Sequence, residues 1–164
     1  MRIVAVSDSH ASRTPLSVIR NRFPDADLFI HCGDSCLPKS SLDGYVTVEG
    51  NCDQPGLFPN GTIIEKGGHR ILVLHGHVLF DSDDPKPEKV AECARRNGCD
   101  IAFFGHSHQY FSGVLDGVHV YNPGALSRNR GVEEACFIVV DIVEGAFREQ
   151  KYVYELQGSV KKAR

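Results

Sequence analysis

The sequence lacks the features that direct a chain into a membrane or onto nucleic acid. It has no apolar run long enough to cross a bilayer, and no basic segment with a long apolar stretch follows Met1. The formal net charge of -3 gives no electrostatic advantage for binding an anionic polymer or surface. We therefore expect a cytoplasmic protein with neither a nucleic-acid partner nor a membrane partner.

The sequence also lacks the cysteine pairs of a thiolate zinc site. Its six cysteines form no C-x-x-C motif, and their spacing does not match a zinc ribbon. In a reducing cytosol we expect them to be free thiols. Cys93 and Cys99 are predicted to pack at a helix end, and Cys136 is predicted to pack in a strand.

Internal repeats, low-complexity segments and linkers are absent too, so we assign residues 1–164 to a single domain. The composition, 41% hydrophobic and 24% charged, suits a globular chain with a sizeable core. Apolar runs predict strands over residues 2–7, 28–31, 45–48, 70–74 and 101–104. The positions of proline and glycine predict helices over residues 15–22 and 87–97.

The last third of the chain has a different pattern, typical of antiparallel hairpins. Asp116-Gly117 suits a type I′ turn within residues 114–120, and Glu144-Gly145 separates two apolar segments within residues 137–154. The pattern as a whole predicts an α/β fold of two facing sheets with flanking helices. The polar, basic tail over residues 157–164 is predicted to fray.

Seven candidate metal ligands lie in five short motifs, each just after a predicted strand. The motifs are Asp8-Ser9-His10, Gly33-Asp34, Gly50-Asn51-Cys52-Asp53, His75-Gly76-His77 and Gly105-His106-Ser107-His108. Open α/β sheets gather ligands outside the carboxyl ends of their strands, so these distant residues can converge. The candidate ligands are Asp8, His10, Asp34, Asn51, His75, His106 and His108. Oxygen and imidazole donors suit Mn, Fe, Zn, Ni or Mg.

Such a ligand set fits two divalent cations, with Mn favoured. Two cations held close together can clamp a phosphoryl group and make hydroxide from a bridging water. A shared carboxylate is the natural bridge, and Asp34 is the best candidate. Asp8 and His10 then serve one metal, while His106 and His108 lie two residues apart and could each serve a different metal.

The motifs resemble those of the calcineurin-like metallophosphoesterase superfamily. The small size and Cys52 resemble its compact subfamily of bacterial and archaeal phosphodiesterases, and residues 122–125, Asn-Pro-Gly-Ala, are similar to that subfamily's N-P-G-S segment. The resemblance spans Asp8 to about Arg130. It implies phosphoester hydrolysis and a four-layer α/β/β/α sandwich of two mixed sheets. It assigns Asp8, His10, Asp34 and His108 to the first metal, and Asp34, Asn51, His75 and His106 to the second.

Cys52 is the main departure from the wider superfamily, many of whose members have a histidine there that protonates the leaving group. A thiol with its usual pKa of about 8.5 is a different acid from imidazole. We predict that Asn51, Cys52 and Asp53 form a catalytic loop, and we leave open whether Cys52 is the general acid. Ala11, where the subfamily often has glycine, is a smaller departure.

Two residues are candidates for substrate binding. Arg130 could grip phosphate at the pocket mouth, or be a solvated loop charge. His77 could face the pocket, or solvate its loop. His31 could pack in the core or support a ligand, whereas His69 and His119 lie outside the motifs and are predicted to be structural. The natural substrate cannot be derived, because the loops at 78–86 and 124–132 have no recognisable binding motif.

Three functions are compatible with these residues. The first is a metal-dependent hydrolase of small phosphodiesters, with association into a homo-oligomer left open. The second is a non-catalytic adaptor or scaffold on the same fold, resembling the retromer subunit. The third is a passive metal-binding protein, which would not need the loop at Gly50–Asp53. Every candidate ligand position has a competent residue, and this favours the enzyme.

Overall fold

The computed structural model describes residues 1–78, 86–127, 134–155 and 158–163. Two α-helices lie within these ranges, α1 (Arg13–Arg22) and α2 (Pro87–Arg96), and a short 3-10 helix covers Lys39–Ser41. The strands are β1 (Arg2–Val6), β2 (Leu28–His31), β3 (Val46–Thr47), β4 (Gly61–Lys66), β5 (His69–Leu74), β6 (Ile101–Phe103), β7 (Tyr110–Leu115), β8 (Val118–Pro123), β9 (Cys136–Val143), β10 (Ala146–Tyr154) and β11 (Val160–Lys162).

The strands form two mixed sheets. The first has six strands in the order β11-β10-β9-β1-β2-β3, and the second has five in the order β4-β5-β6-β8-β7. Strands β1, β2 and β3 are parallel in the first sheet, and β5, β6 and β8 are parallel in the second. The remaining neighbours are antiparallel.

The core confirms the predicted four-layer α/β/β/α sandwich. In β1, Ile3 and Ala5 face the second sheet, whereas Val4 and Val6 pack with residues of α1. In β5 the alternation is the same, and Leu72 packs with residues of α2. Alternate side chains of a strand point to opposite faces, so each sheet buries one face against the other sheet and one against a helix. The order of layers is α1, first sheet, second sheet, α2.

The two predicted hairpins are confirmed, with backbone geometry that explains their turns. Asp116 and Gly117 have φ values of 49° and 79°, and Glu144 and Gly145 have φ values of 50° and 78°. Positive φ at both central residues is the requirement of a type I′ turn. The turns join β7 to β8 and β9 to β10.

The sequence prediction missed two strands and overestimated the length of a third. Strand β4 was not predicted, although Gly67-Gly68 is a hairpin signal between it and β5. The tail was predicted to fray, but β11 pairs with β10, and Glu155 accepts a hydrogen bond from Ser159 (2.6 Å) and pairs with Lys161. Strand β3 has two residues where residues 45–48 were predicted.

The six cysteines are free thiols, as predicted. Cys99 is buried beneath α2, Cys93 packs against the same cluster, and Cys136 begins β9. Among the described residues, neither helix is long and apolar enough to cross a membrane.

Candidate metal centre

The seven predicted ligands converge at one edge of the sandwich. Asp8 follows β1, Asp34 follows β2 and Asn51 follows β3. On the second sheet, His75 follows β5 and His106 follows β6. The carboxyl ends of the parallel strands of both sheets therefore meet, which is the arrangement that the sequence pattern predicts.

One group of ligands surrounds Asp8. Ligand atoms of Asp8, His10 and His108 lie within 4.8 Å of one another. Oδ1 of Asp8 is 3.1 Å from Nε2 of His108, and Oδ2 of Asp34 is 4.0 Å from Nε2 of His10. The burial of Asp8 raises its pKa. The hydrogen bond from His108 and the charges of His75 and His108 lower the pKa by more than burial raises it, so the net shift is downward. Asp8 is therefore anionic near pH 7, as a carboxylate ligand of a cation would be.

The other group surrounds Nε2 of His75. This atom is 3.1 Å from Oδ1 of Asn51, 3.2 Å from Nδ1 of His106 and 3.5 Å from Oδ1 of Asp34. The opposite nitrogen, Nδ1, lies 2.7 Å from the carbonyl oxygen of Cys32, which can only accept a hydrogen bond. The proton of a neutral His75 is therefore on Nδ1, and Nε2 presents a lone pair to the site.

These residues fit divalent cations. In the second group, lone pairs of Asn51, His75 and Asp34 point towards one another. In the first group, Nε2 of His10 is buried and has no hydrogen-bond partner among the described residues. Buried polar atoms normally have a partner, and converging carboxylate, amide and imidazole donors are what a hard or borderline cation binds.

The backbone at the ligands is strained. Five ligands are non-glycine residues in the left-handed region, with φ between 41° and 69°: Asp8, His10, Asp34, His106 and His108. This conformation costs a side-chain-bearing residue roughly 1–2 kcal/mol. It turns the chain sharply after each strand, and strain of this kind clusters at functional sites. Ala11 also has positive φ, 66°, where the resembling subfamily often has glycine.

Asp53 links the two loops that contain Asp34 and Asn51. Its Oδ2 accepts hydrogen bonds from the amides of Asp34 (2.9 Å) and Gly50 (2.8 Å). Its Oδ1 accepts from Oγ of Ser35 (2.8 Å) and the amide of Cys36 (2.7 Å). Asp53 is buried, and its carboxylate accepts four hydrogen bonds from within the protein. Its carboxylate therefore positions the ligand loops.

Two further residues support the candidate ligands without having been predicted to do so. Ser7 donates its hydroxyl proton to Oδ2 of Asp8 (2.5 Å). The buried Asn122 donates to the carbonyl oxygen of Gly105 and to Oγ of Ser107, both at 3.1 Å, which fixes the loop between β6 and β7. The Asn-Pro-Gly segment was a signal for Asn122, whereas Ser7 had none.

His31 lies beneath the site and supports it from the core. Its Nδ1 accepts a hydrogen bond from the amide of Gly33 (3.2 Å), so the proton is on Nε2, which is 2.9 Å from Oγ of Ser9. Burial lowers the pKa of His31 to about 4, against the partly compensating charges of nearby aspartates. His31 is therefore neutral near pH 7.

Two cysteines lie at the open side of the ligands. Cys52 is exposed, accepts a hydrogen bond on Sγ from Nδ2 of Asn51 (3.5 Å), and forms a group with His10 and Asp34 whose ligand atoms lie within 4.8 Å. Cys36 is also exposed, and its Sγ is 3.8 Å from Nδ1 of His10. Partial burial raises the pKa of Cys36 to about 11.

Of the two predicted substrate-binding residues, His77 lies beside two of the candidate ligands. The ring of His77 is 5.3 Å from that of His75 and 6.4 Å from that of His106. Burial and the charges of these two histidines lower the pKa of His77. Arg130 lies outside the described residues.

The two histidines predicted to be structural lie near the amino-terminal ends of their strands, away from the candidate ligands. Nδ1 of His69, at the start of β5, is 2.5 Å from Oδ2 of Asp100. His119 stacks on Phe147, with ring centroids 3.6 Å apart. Neither contributes to the metal groups found among the described residues.

Comparison with known proteins agrees with this geometry. Residues 1–145 match the calcineurin-like phosphoesterase superfamily domain. A protein of Bacillus subtilis (strain 168) named a probable metallophosphoesterase is 36% identical over 146 residues, which cover 86% of this chain and 85% of that protein. The crystal structure of a predicted phosphoesterase from Streptococcus pneumoniae superposes with a TM-score of 0.83 at 29% identity, over 99% of this chain and 96% of that one.

A further structure shows the same fold. Wild-type Vps29 of Entamoeba histolytica, solved in complex with Zn²⁺, superposes with a TM-score of 0.78 at 22% identity, over 99% of this chain and 97% of that one.

Proposed function

The chain belongs to the calcineurin-like phosphoesterase superfamily, and we propose that it hydrolyses small phosphodiesters at a dinuclear metal centre. Asp8, His10, Asp34 and His108 form the first metal position. Asp34, Asn51, His75 and His106 form the second. Mn²⁺ is the favoured ion, and Ni²⁺, Fe²⁺, Zn²⁺ or Mg²⁺ are alternatives with the same preference for oxygen and nitrogen donors.

The observation that supports this proposal best is the orientation of Asp34. Its Oδ2 faces Nε2 of His10 at 4.0 Å, whereas its Oδ1 faces Nε2 of His75 at 3.5 Å. Each carboxylate oxygen therefore faces a histidine of a different ligand group. A carboxylate in this position can join two cations, and the amide of Cys52 fixes it by donating to Oδ1 at 2.8 Å.

Two cations bound there would polarise the phosphoryl oxygens and supply a deprotonated water as the nucleophile. The protein positions the ligands that would hold these cations. Asp53 holds the loops of Asp34 and Asn51 together, Asn122 fixes the loop of His106, and Cys32 fixes the tautomer of His75. Preorganised ligands avoid the cost of rearrangement when the substrate binds.

Cys52 is the residue best placed to give a proton to the leaving group. It is exposed at the open side of the ligands, and Asn51 orients its sulfur by donating from Nδ2 at 3.5 Å. A proton matters most for an alkoxide leaving group, because an alkoxide is a strong base, and it matters little for a nitrophenolate. We assign substrate contact to His77 and Arg130.

The likeness to Vps29 bears on the alternative, a non-catalytic adaptor on the same fold. This alternative does not require intact ligands. Here all seven positions have donors, and all seven contribute to contacts of 4.0 Å or less between ligand atoms of different motifs. The geometry therefore favours the hydrolase, with small phosphoesters as the substrate class.

The decisive experiment combines metal analysis with a substrate panel. Chelator-treated protein is reloaded with each candidate ion, its bound metal is counted, and turnover of aryl and alkyl phosphodiesters and of a phosphomonoester is measured. We expect two ions per chain and the highest kcat/KM with Mn²⁺ and aryl diesters. Cys52→Ala should impair alkyl diesters and leave aryl diesters nearly unchanged.

The outcomes separate the alternatives. Two bound ions without turnover of any ester would favour the adaptor. A single ion at saturation would contradict the dinuclear centre. A large loss on aryl diesters with Cys52→Ala would show that the thiol has a role other than proton donation.

A further inference from the structure

We propose that the thiol of Cys36 is the positioning residue for His10, orienting its imidazole so that Nε2 faces the first metal position. This inference depends on the proposed function, because it requires His10 to be a metal ligand. It concerns a residue that belongs to none of the five ligand motifs.

The first step concerns which nitrogen of His10 is the ligand. Nε2 is buried, lies 4.0 Å from Oδ2 of Asp34 and has no hydrogen-bond partner among the described residues. Nδ1 is on the other side of the ring, 3.8 Å from Sγ of Cys36. Nε2 is therefore the nitrogen that would bind a cation at the first metal position, and Nδ1 is the nitrogen that needs a supporting partner.

The second step concerns the direction of the hydrogen bond. A thiol has one proton, and Cys36 directs it to the carbonyl oxygen of Cys52 at 3.5 Å. The sulfur lone pairs then face Nδ1 of His10, which donates its own proton. The chain of contacts runs from His10 through Cys36 to the backbone of Cys52, and it fixes the tautomer that leaves Nε2 unprotonated.

The third step concerns how Cys36 is placed. Its backbone is in the left-handed region, with φ of 52°, and its amide donates to Oδ1 of Asp53 at 2.7 Å. The same carboxylate binds the amide of Asp34. A strained conformation that persists at an exposed residue needs support from its surroundings. Here the support comes from Asp53, which also positions Asp34, the proposed bridging ligand.

A comparison within the site shows what is particular to His10. The corresponding nitrogen of His75 faces a carbonyl oxygen at 2.7 Å in the buried interior. His10 instead has a sulfur partner at 3.8 Å that is open to solvent. A sulfur acceptor is weaker than a carbonyl oxygen, so the first metal position has the weaker support and its affinity depends on a replaceable side chain.

The test measures metal affinity and needs no substrate. Full-length, chelator-treated wild type, Cys36→Ala, Cys36→Ser and Cys93→Ala are titrated with Zn²⁺ by calorimetry. Losing a supporting partner of a ligand lowers metal affinity by about 10- to 100-fold. For Cys36→Ala, we expect that loss of Zn²⁺ affinity at one metal position and a change within about twofold at the other metal position. The hydroxyl of Cys36→Ser should restore part of the loss, and Cys93→Ala, on α2, should match wild type.

Nuclear magnetic resonance of ¹⁵N-histidine-labelled wild type adds a direct readout that is independent of mutant folding. With Zn²⁺ bound, Nδ1 of His10 should carry a proton and Nε2 should have the shift of a ligated nitrogen. Ligation through Nδ1 would overturn the inference. So would unchanged affinity in Cys36→Ala, equal losses at both positions, or a loss that Cys36→Ser does not reduce.

His10→Ala separates this inference from the proposed function. It should remove the first metal. If His10→Ala leaves both affinities intact, the ligand set itself is wrong. If His10→Ala removes one metal while Cys36→Ala changes nothing, the ligand set stands and only the role of Cys36 is contradicted.

Discussion

At the scale of single residues, the proposed bridging role gives Asp34 two functions that a similar side chain could not combine. Its negative charge would match the two proposed cations, and its two oxygens face different candidate ligand groups. An asparagine has the same shape, keeps one carbonyl oxygen and has no charge. Replacement therefore separates the electrostatic role of the side chain from its packing.

We predict that Asp34→Asn lowers kcat/KM by more than about a hundredfold, since loss of a mere supporting partner already costs up to that amount. The unfolding temperature of the metal-free protein should stay close to that of wild type, because the volume is unchanged. The control is Asp116→Asn in the β7–β8 turn, where asparagine also tolerates positive φ. Near-normal turnover of Asp34→Asn at full metal occupancy would contradict the bridging role.

At the scale of elements, the position of the ligands was predictable and their support was not. The ligands follow apolar strands, and parallel strand ends share an edge, so convergence could be derived from the sequence. A place for Asp53 in the catalytic loop stays a prediction, whereas its contacts with residues 17 to 19 positions earlier in the chain were not predicted. No local pattern encodes such contacts, because they arise only when two loops meet.

The missed strands have a similar explanation. β4 is an edge strand whose residues are exposed or half-buried, and Ile63 is 38% exposed. β11 has three residues, of which two are exposed. Neither has the apolar run that identified β1 or β5. Pairing with a neighbouring strand, which is a property of the tertiary structure, determines both.

In the loop between β3 and β4, Gly50 approaches Asp34 so closely that no residue with a side chain fits there. A Cβ on Gly50 would clash with both Oδ1 and the amide nitrogen of Asp34. Gly50→Ala must therefore displace the carboxylate of Asp34 or its loop. We predict a loss of at least one bound metal ion and a destabilisation of about 1–3 kcal/mol, the usual cost of overpacking.

Metal counting and urea unfolding would check this prediction, with Gly56→Ala as the matched control. Gly56 has positive φ (78°), unlike Gly50, and a Cβ there meets no atom within 4 Å. The control therefore includes backbone strain without the clash. If both variants keep two metals, the close approach at Gly50 is not required for the site.

At the scale of the whole molecule, the two sheets share one core beneath the candidate metal centre. The inter-sheet cluster includes Ile3 and Ile142 from the first sheet and Ile71 and Phe103 from the second, so we propose that residues 1–164 form a single domain. His31 is fully buried at the end of β2. Its protonation state is therefore coupled to the folding of the domain.

We predict that the metal-free protein loses stability as the pH falls from about 6.5 to about 4. Burial lowers the pKa of His31 in the folded state to about 4, whereas an unfolded histidine titrates near 6.5. Within that window the unfolded chain binds a proton that the folded chain excludes, so acid favours unfolding, by up to about 3 kcal/mol for this one residue. Above the window both states are neutral, and below it both are protonated, so the dependence flattens. Urea unfolding across this range should show a steeper decline for wild type than for His31→Gln, whose amide can still donate to Ser9. Parallel declines in the two proteins would show that other groups cause the acid sensitivity.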